Sequence, residues 1–238
     1  MTELRTAIIT GASSGVGEAT ARALAELGMD LALVARRHER LEGLAKHLPA
    51  QGRGPLIVPA DLRDAAAAQR AMDEALHVLG TIDVLVNCAG SNVPRRRLSE
   101  LSVQDWDSLV AINLSAVFYC VRAVLPSMRE RGSGLIISVS SIAGLRPSAL
   151  SGAAYSAAKA GLNALSACIN LEEGQQGIRS CVICPGDIDT EILDKRPEPP
   201  SAEARAHMLR ARDVADLIAA VIRQPDRVLL DEIVVRPR

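Results

Sequence analysis

Residues 6–17 read TAIITGASSGVG. Positions 6–10 form an apolar run of strand length. From Gly17 onward, Ala19, Thr20, Ala23, Leu24 and Leu27 fall on one helical stripe, predicting a helix over 17–27. Between the two elements, Gly11, Gly15 and Gly17 let the backbone turn tightly and approach a ligand closely. The helix start behind them favours a pyrophosphate. The spacing G-x-x-x-G-x-G is not the G-x-G-x-x-G dinucleotide fingerprint. Its position, between a first strand and a first helix, is what makes it a nucleotide-loop signal.

The same alternation continues outward from this stretch. Strands are expected at 31–35, 56–59, 82–87, 135–139, 178–184 and 228–235. Helices are expected at 37–48, at 64–79 closed by Gly80, and at 152–173. Ser102 and Asp105 resemble a capping box that opens one long helix to Arg131. Asp213 is expected to cap a helix to Arg223. Strands that are apolar nearly throughout and separated by helices mean a parallel sheet covered on both faces. The fold class is therefore α/β, a doubly wound Rossmann-type parallel sheet of about seven strands, with ligands at the C-terminal strand ends. Residues 1–238 read as one domain without linker or repeat. The Pro-rich, charged run DKRPEPPSAEARA at 194–206 places a mobile lid within residues 190–210.

Composition narrows the function classes. Aromatic residues are 2% of the chain, so the core is aliphatic and offers no stacking platform for single-stranded nucleic acid. A net charge of −1 gives no electrostatic case for DNA or a membrane surface. No apolar run is expected to reach membrane-spanning length; the nearest, 116–125, is interrupted by Arg122. The start MTELRTAIITG lacks a signal-peptide pattern, so a cytoplasmic location is expected. Five cysteines are an odd number for a disulfide framework. Cys181 and Cys184 lie three apart on a strand, hence on opposite faces, and read as small buried hydrophobes. His38, His47, His77 and His207 show no ligand spacing, and no metal site is expected.

Residues 151–159 read SGAAYSAAK. Tyr155 and Lys159 stand four apart, on one face of a helix. An ammonium beside a phenol favours the phenolate and should bring the tyrosine pKa down toward working pH. The phenol can then exchange a proton with a substrate oxygen. An isolated pair of this kind would pass for surface residues on an Ala-rich helix; the rest of the chain supplies the parts it needs.

With those parts on view, the chain resembles the short-chain dehydrogenase/reductase family over nearly its whole length. Thr10, Gly11, Ser13, Ser14, Gly15, Val16 and Gly17 are similar to its cofactor loop. Asn87, Ala89 and Gly90 resemble its N-N-A-G segment, with Cys88 in place of the second Asn. Ser140-Ser141, Tyr155, Lys159 and Asn113 match its catalytic set, with Ser141 preferred over Ser140 because it stands further out of the strand. Pro185, Gly186, Ile188 and Thr190 match the segment that lines the nicotinamide, and Asp61 and Leu62 its adenine contact. The resemblance implies that Ser141 holds the substrate carbonyl, that Tyr155 delivers or accepts the proton, and that Lys159 lowers the Tyr155 pKa and binds the ribose. It also implies that Asn113 holds a water relaying protons to Lys159, and that the protein is a homodimer or homotetramer built through its long helices.

Cofactor choice is read at the end of the second strand. An NAD enzyme places Asp or Glu there. Here Ala35 is followed by Arg36 and Arg37, which suit a 2′-phosphate. NADP(H) is expected, with NAD(H) as the less favoured cofactor. The substrate pocket is expected from 91–98, 142–152 and 187–206, aliphatic in character. The leading expectation is an NADP(H)-dependent oxidoreductase acting on a small-molecule carbonyl or secondary alcohol. An acyl-carrier-protein-linked ketoreductase is the runner-up, although the ending DEIVVRP at 231–237 differs from the G-Q-x-x-x-V-x-G-G common among those. A cofactor-binding sensor without turnover is the reading from another class.

Overall fold

Apolar runs placed side by side force the sheet, because each must be covered on both faces. In the computed structural model, which describes residues 5–49 and 54–238, the elements follow in order. They are β1 (Thr6–Thr10), α1 (Gly15–Glu26), β2 (Asp30–Ala35), α2 (His38–Ala45), β3 (Leu56–Pro59), α3 (Ala65–Leu79) and β4 (Val84–Asn87). Next come α4 (Val103–Val110), α5 (Ala116–Arg131), β5 (Gly134–Val139), α6 (Ala153–Glu173) and β6 (Ile178–Pro185). The chain closes with β7 (Ile188–Asp189), α7 (Ala202–Ala206), β8 (Leu209–Arg210), α8 (Ala211–Ile222) and β9 (Glu232–Val235). Seven strands form one sheet in the order β3-β2-β1-β4-β5-β6-β9, every pair parallel. This is the doubly wound architecture expected from the sequence.

Helices α1, α2 and α8 cover one face through Leu24, Leu41, Leu44, Val214 and Ile218. Helices α3, α5 and α6 cover the other through Met72, Val117, Val121, Leu162 and Ile169. Residues 1–4, on which part of the expectation of no leader rests, lie outside the described residues.

Several boundaries differ from the expectation for local reasons. The long helix opens at Ser102, whose Oγ accepts the Asp105 amide at 3.0 Å. It then widens into a π turn at Ala111–Ser115 before α5, and this turn carries Asn113. Such turns inside α-helices are frequent at functional sites. The whole segment, Val103–Arg131, is long and apolar enough by length and composition to cross a membrane, so the expectation that none reaches that length is corrected. Arg122 does not break it, and Leu109, Val117, Cys120, Val124 and Met128 are buried in the protein. Helix α8 begins at Ala211, and Asp213 sits in its first turn, not at the cap, accepting the Arg210 amide at 2.7 Å. Helix α2 stops at Ala45, and β9 is confined to its last four residues.

Residues 190–210, the segment expected as a lid, carry local secondary structure. Strands β7 and β8 pair, a 3₁₀ turn covers Glu191–Lys195, and α7 follows. Arg205 bonds both Asp189 and Asp194, and Arg196 bonds Asp187 at 2.5 Å.

Strand β4 starts two residues later than expected because Asp83 has another task. Its Oδ2 accepts the amides of Arg5 (2.7 Å) and Thr6 (2.9 Å) and the Thr6 hydroxyl (3.1 Å). Arg131 lies 3.3 Å from its other oxygen. Asp83→Ala would strand these buried donors, and we expect about 3 kcal/mol less stability by urea denaturation. A loss under about 1 kcal/mol would show that the contact carries little of the fold's stability.

Candidate active site

The direction of winding reverses between β1 and β4, which opens a cleft at the C-terminal ends of the strands. Its volume is about 740 Å³. The loop after β1 supplies Gly11, Ser13, Ser14, Gly15 and Val16 to the wall. Arg36 and Arg37 follow β2, Asp61 and Leu62 follow β3, and Ala89 and Gly90 follow β4. Ser141 follows β5, Tyr155 and Lys159 come from α6, and Pro185, Gly186, Ile188 and Thr190 close the far side after β6.

Three expected site residues stand behind this wall. A side chain at Gly17 would land on the Gly11 carbonyl, so this glycine serves loop packing. Asn87 is buried at the end of β4, with its amide nitrogen 3.4 Å from Ser138 Oγ and its Oδ1 without a partner among the described residues. Asn113 is fully buried; its amide donates to the carbonyls of Ser91 and Leu109, both at 2.9 Å, and its Oδ1 accepts the Ser91 amide.

The glycine loop has the shape of a cradle. Gly11 holds φ at +68°, and a Cβ there would come within 2.7 Å of the Ala89 amide. Ser14, the residue ahead of α1, leaves the first turn of that helix without a side-chain cap. The first-turn amides are thus not taken by a capping side chain, and such amides favour negative charge. A dinucleotide's pyrophosphate fits this position.

Basic groups gather at the next strand end. Arg37 donates to Ser13 Oγ (3.2 Å) and Ser14 Oγ (2.6 Å), and pairs with Glu191 at 3.1 Å. Arg40 also pairs with Glu191. These two guanidiniums hold the Glu191 carboxyl below its ordinary range. Asp61 is engaged by Arg63 through the amide (3.1 Å), Nε (3.0 Å) and a terminal nitrogen (2.5 Å), which depresses its pKa.

At the other end, Ser141 Oγ accepts the Ala143 amide at 3.1 Å, and its hydroxyl lines the cleft together with the Tyr155 phenol. Ser140, the alternative candidate, turns inward, its hydroxyl donating to the Lys159 carbonyl. The Lys159 ammonium lies 5.7 Å from the Tyr155 ring centre and donates to the Val139 carbonyl at 2.8 Å. Burial brings its pKa down to about 8. The expected lowering of the Tyr155 pKa is not what this environment gives. Burial raises it, and the Ser141 hydroxyl and the Arg96 charge only oppose that rise.

The substrate end is not the aliphatic pocket expected. Ile142, Leu150, Ile192 and Leu193 are present, but so are Arg96, Arg146, Lys195 and Arg196. Arg236 and Pro237 also line the cleft from the chain's end. Glu191 and Arg236 carry no signal in the sequence that marks them for the site. Arg96 belongs to the run Pro94–Arg97, which on sequence alone suits either guidance of an anionic substrate or a solvated loop, and no spacing separates the buried arginine from its neighbours.

Residues 5–200 match the family model for short chain dehydrogenase. An uncharacterized oxidoreductase of Staphylococcus haemolyticus is 34% identical over 239 residues, covering all of both chains. An alcohol dehydrogenase of Thermococcus sibiricus, solved with 5-hydroxy-NADP, superposes with a TM-score of 0.88 at 30% identity, over 98% of this chain and 96% of that one. A metagenomic short-chain oxidoreductase solved with NADP gives 0.85 at 33% identity, over 100% and 99%. The winding of the sheet, the glycine cradle and the Ser–Tyr–Lys cluster at one cleft therefore have a common origin: the chain is an oxidoreductase of the short-chain dehydrogenase family.

Proposed function

We propose that this protein is an NADP(H)-dependent oxidoreductase that interconverts a carbonyl and a secondary alcohol, with Tyr155 as general acid and base. The observation that carries the reading is that Ser141, Tyr155 and Lys159 line the same cleft as the glycine cradle. When bound, the cofactor supplies or takes up the hydride. The chain does the rest. Ser141 holds the substrate oxygen, and Tyr155 gives it a proton during reduction or removes one during oxidation. Lys159 stands below the phenol as the nearby positive charge and would hold the ribose. Both amide hydrogens of Asn113 are used on backbone carbonyls, so a relay water would sit on an oxygen of that residue. A sensor without turnover would leave the Ser141, Tyr155 and Lys159 set on the cleft without a use.

Arg36 and Arg37 would take a 2′-phosphate, and the structures solved with NADP and 5-hydroxy-NADP support that choice. The loop amides would hold the pyrophosphate, and Asp61 and Leu62 the adenine. Glu191 occupies Arg37 here, so it would be displaced as the phosphate arrives. Residues 190–210 are the segment we assign as the lid, since Glu191 and Lys195 on it reach the cleft. Leu98, Val103, Trp106 and Phe118 are exposed on or just ahead of the long helix, which supports assembly as a dimer or tetramer through that face. A monomer mass in solution scattering would contradict the assembly.

Oxidation of NADPH across a panel of ketones and aldehydes tests the reaction, with NADH run beside it. We expect turnover and a preference for NADPH. Arg36→Ala and Arg37→Ala should each weaken NADPH about tenfold and leave NADH nearly as it was. A tighter fit for NADH in the wild type would overturn the cofactor assignment. The Lys159 environment gives a separate expectation. Its folded pKa of about 8 lies below the ordinary 10.5, so between these values the unfolded chain holds a proton that the folded chain has lost. Relative to Lys159→Met, the wild type should gain stability as pH rises through that window in the cofactor-free protein. A constant difference would show that the amine is not desolvated.

A further inference from the structure

Arg96 is 5% exposed, yet it lines the cleft. Its guanidinium donates to three backbone carbonyls: Val93 (2.7 Å), Leu150 (3.1 Å) and Lys195. None of these carries a formal charge, and among the described residues no carboxylate lies within ion-pair distance of it. A buried charge answered only by neutral dipoles is costly. Three of its five N–H bonds are placed, which leaves two, the number a carboxylate accepts from one guanidinium.

Its neighbours add to the positive charge. Lys195 Nζ donates to Ser91 Oγ at 2.7 Å instead of meeting a carboxylate. Arg146 lines the same end. Arg196 is paired with Asp187, and Glu191 is held by Arg37 and Arg40 toward the other end of the cleft. Arg96 also stands close to the reacting centre. A Cβ on Gly152, three residues before Tyr155, would lie 2.7 Å from the Arg96 Cβ. The Tyr155 phenol feels the Arg96 charge.

We propose that Arg96 anchors a carboxylate on the substrate, so that the carbonyl compound reduced here is a short oxo acid with its carboxylate within a few bonds of the reacting carbon. This rests on the oxidoreductase reading and narrows it. The competing role for Arg96 is a clamp that ties the segments at 93, 150 and 195 together and does nothing for the substrate.

The test compares a 3-oxo carboxylate with its own carboxamide, both reduced with NADPH. In the wild type, kcat/KM should favour the acid at least tenfold, mainly through KM, and the preference should shrink with added salt. Arg96→Gln should bring the ratio of acid to amide close to one. Arg96→Lys, which keeps the charge without the planar fork, should restore part of the preference. A second readout needs no turnover: butanoate should raise the Tm of the NADP⁺-loaded wild type, butanamide should not, and Arg96→Gln should lose the shift. An amide reduced as well as its acid by the wild type would overturn the proposal, even if the variants fail to fold. Equal losses on both substrates in Arg96→Gln would assign the clamp role and overturn it too. Turnover of neutral ketones alone would sink the oxo-acid assignment and leave the oxidoreductase reading standing. No turnover of any carbonyl would remove that reading itself, and the proposal with it.

Discussion

Two loops must touch without a side chain between them. The turn after β1 crosses the turn after β4 so closely that any Cβ on Gly11 would meet the Ala89 backbone. Gly17 then seats α1 against the same turn. Thr10 Oγ1 accepts the amides of Cys88 (3.2 Å) and Ala89 (3.3 Å), which fixes the approach. Much of the site depends on this contact. It joins the two halves of the sheet at the point where the winding reverses, and it presents the uncapped end of α1 to the cleft. It also sets Gly90 beside Asn113 and Lys159: a side chain there would sit 3.0 Å from one and 3.7 Å from the other.

Burial governs the chemistry on the other side of the cleft. A phenol and an amine one helical turn apart would stabilise each other's charges in water-like surroundings, but here both are desolvated. Burial pushes the tyrosine up and the lysine down, each toward its neutral form. The pair is therefore poised by its surroundings more than by its own contact. The Ser141 hydroxyl and the Arg96 charge are the groups that draw the phenol back toward ionisation. Cys88, which stands where the family has a second Asn, has its thiol pushed up to about 12 and offers no competing nucleophile.

The parallel sheet and the cleft at its strand ends were legible because apolar runs and glycine spacing are local signals. The loop at 11–16, the arginines after β2 and the Tyr155–Lys159 pair all follow from short stretches of chain, and the structure brings them to one cavity. Charge placement was not legible in the same way. Of Arg95, Arg96 and Arg97, only Arg96 is buried, and that is decided by carbonyls 54 and 99 positions away. The Glu191 link to Arg37 spans 154 positions. The π turn at Asn113 lies inside a stretch that reads as one long helix, and its residues, AINLS, include no glycine or proline to mark the wider turn. Four-residue spacing reports adjacency and says nothing about desolvation, which sets the direction of the Tyr155 shift.

The most direct test of the account is Tyr155→Phe, which removes one hydroxyl and keeps the ring that fills the cleft. NADPH binding, followed by fluorescence titration, should stay within a few-fold of the wild type, while carbonyl reduction should fall by roughly 10²–10⁴. Such a split would place proton transfer on that oxygen. Reduction at the wild-type rate by the phenylalanine variant would contradict the account, because the group said to move the proton would then be dispensable.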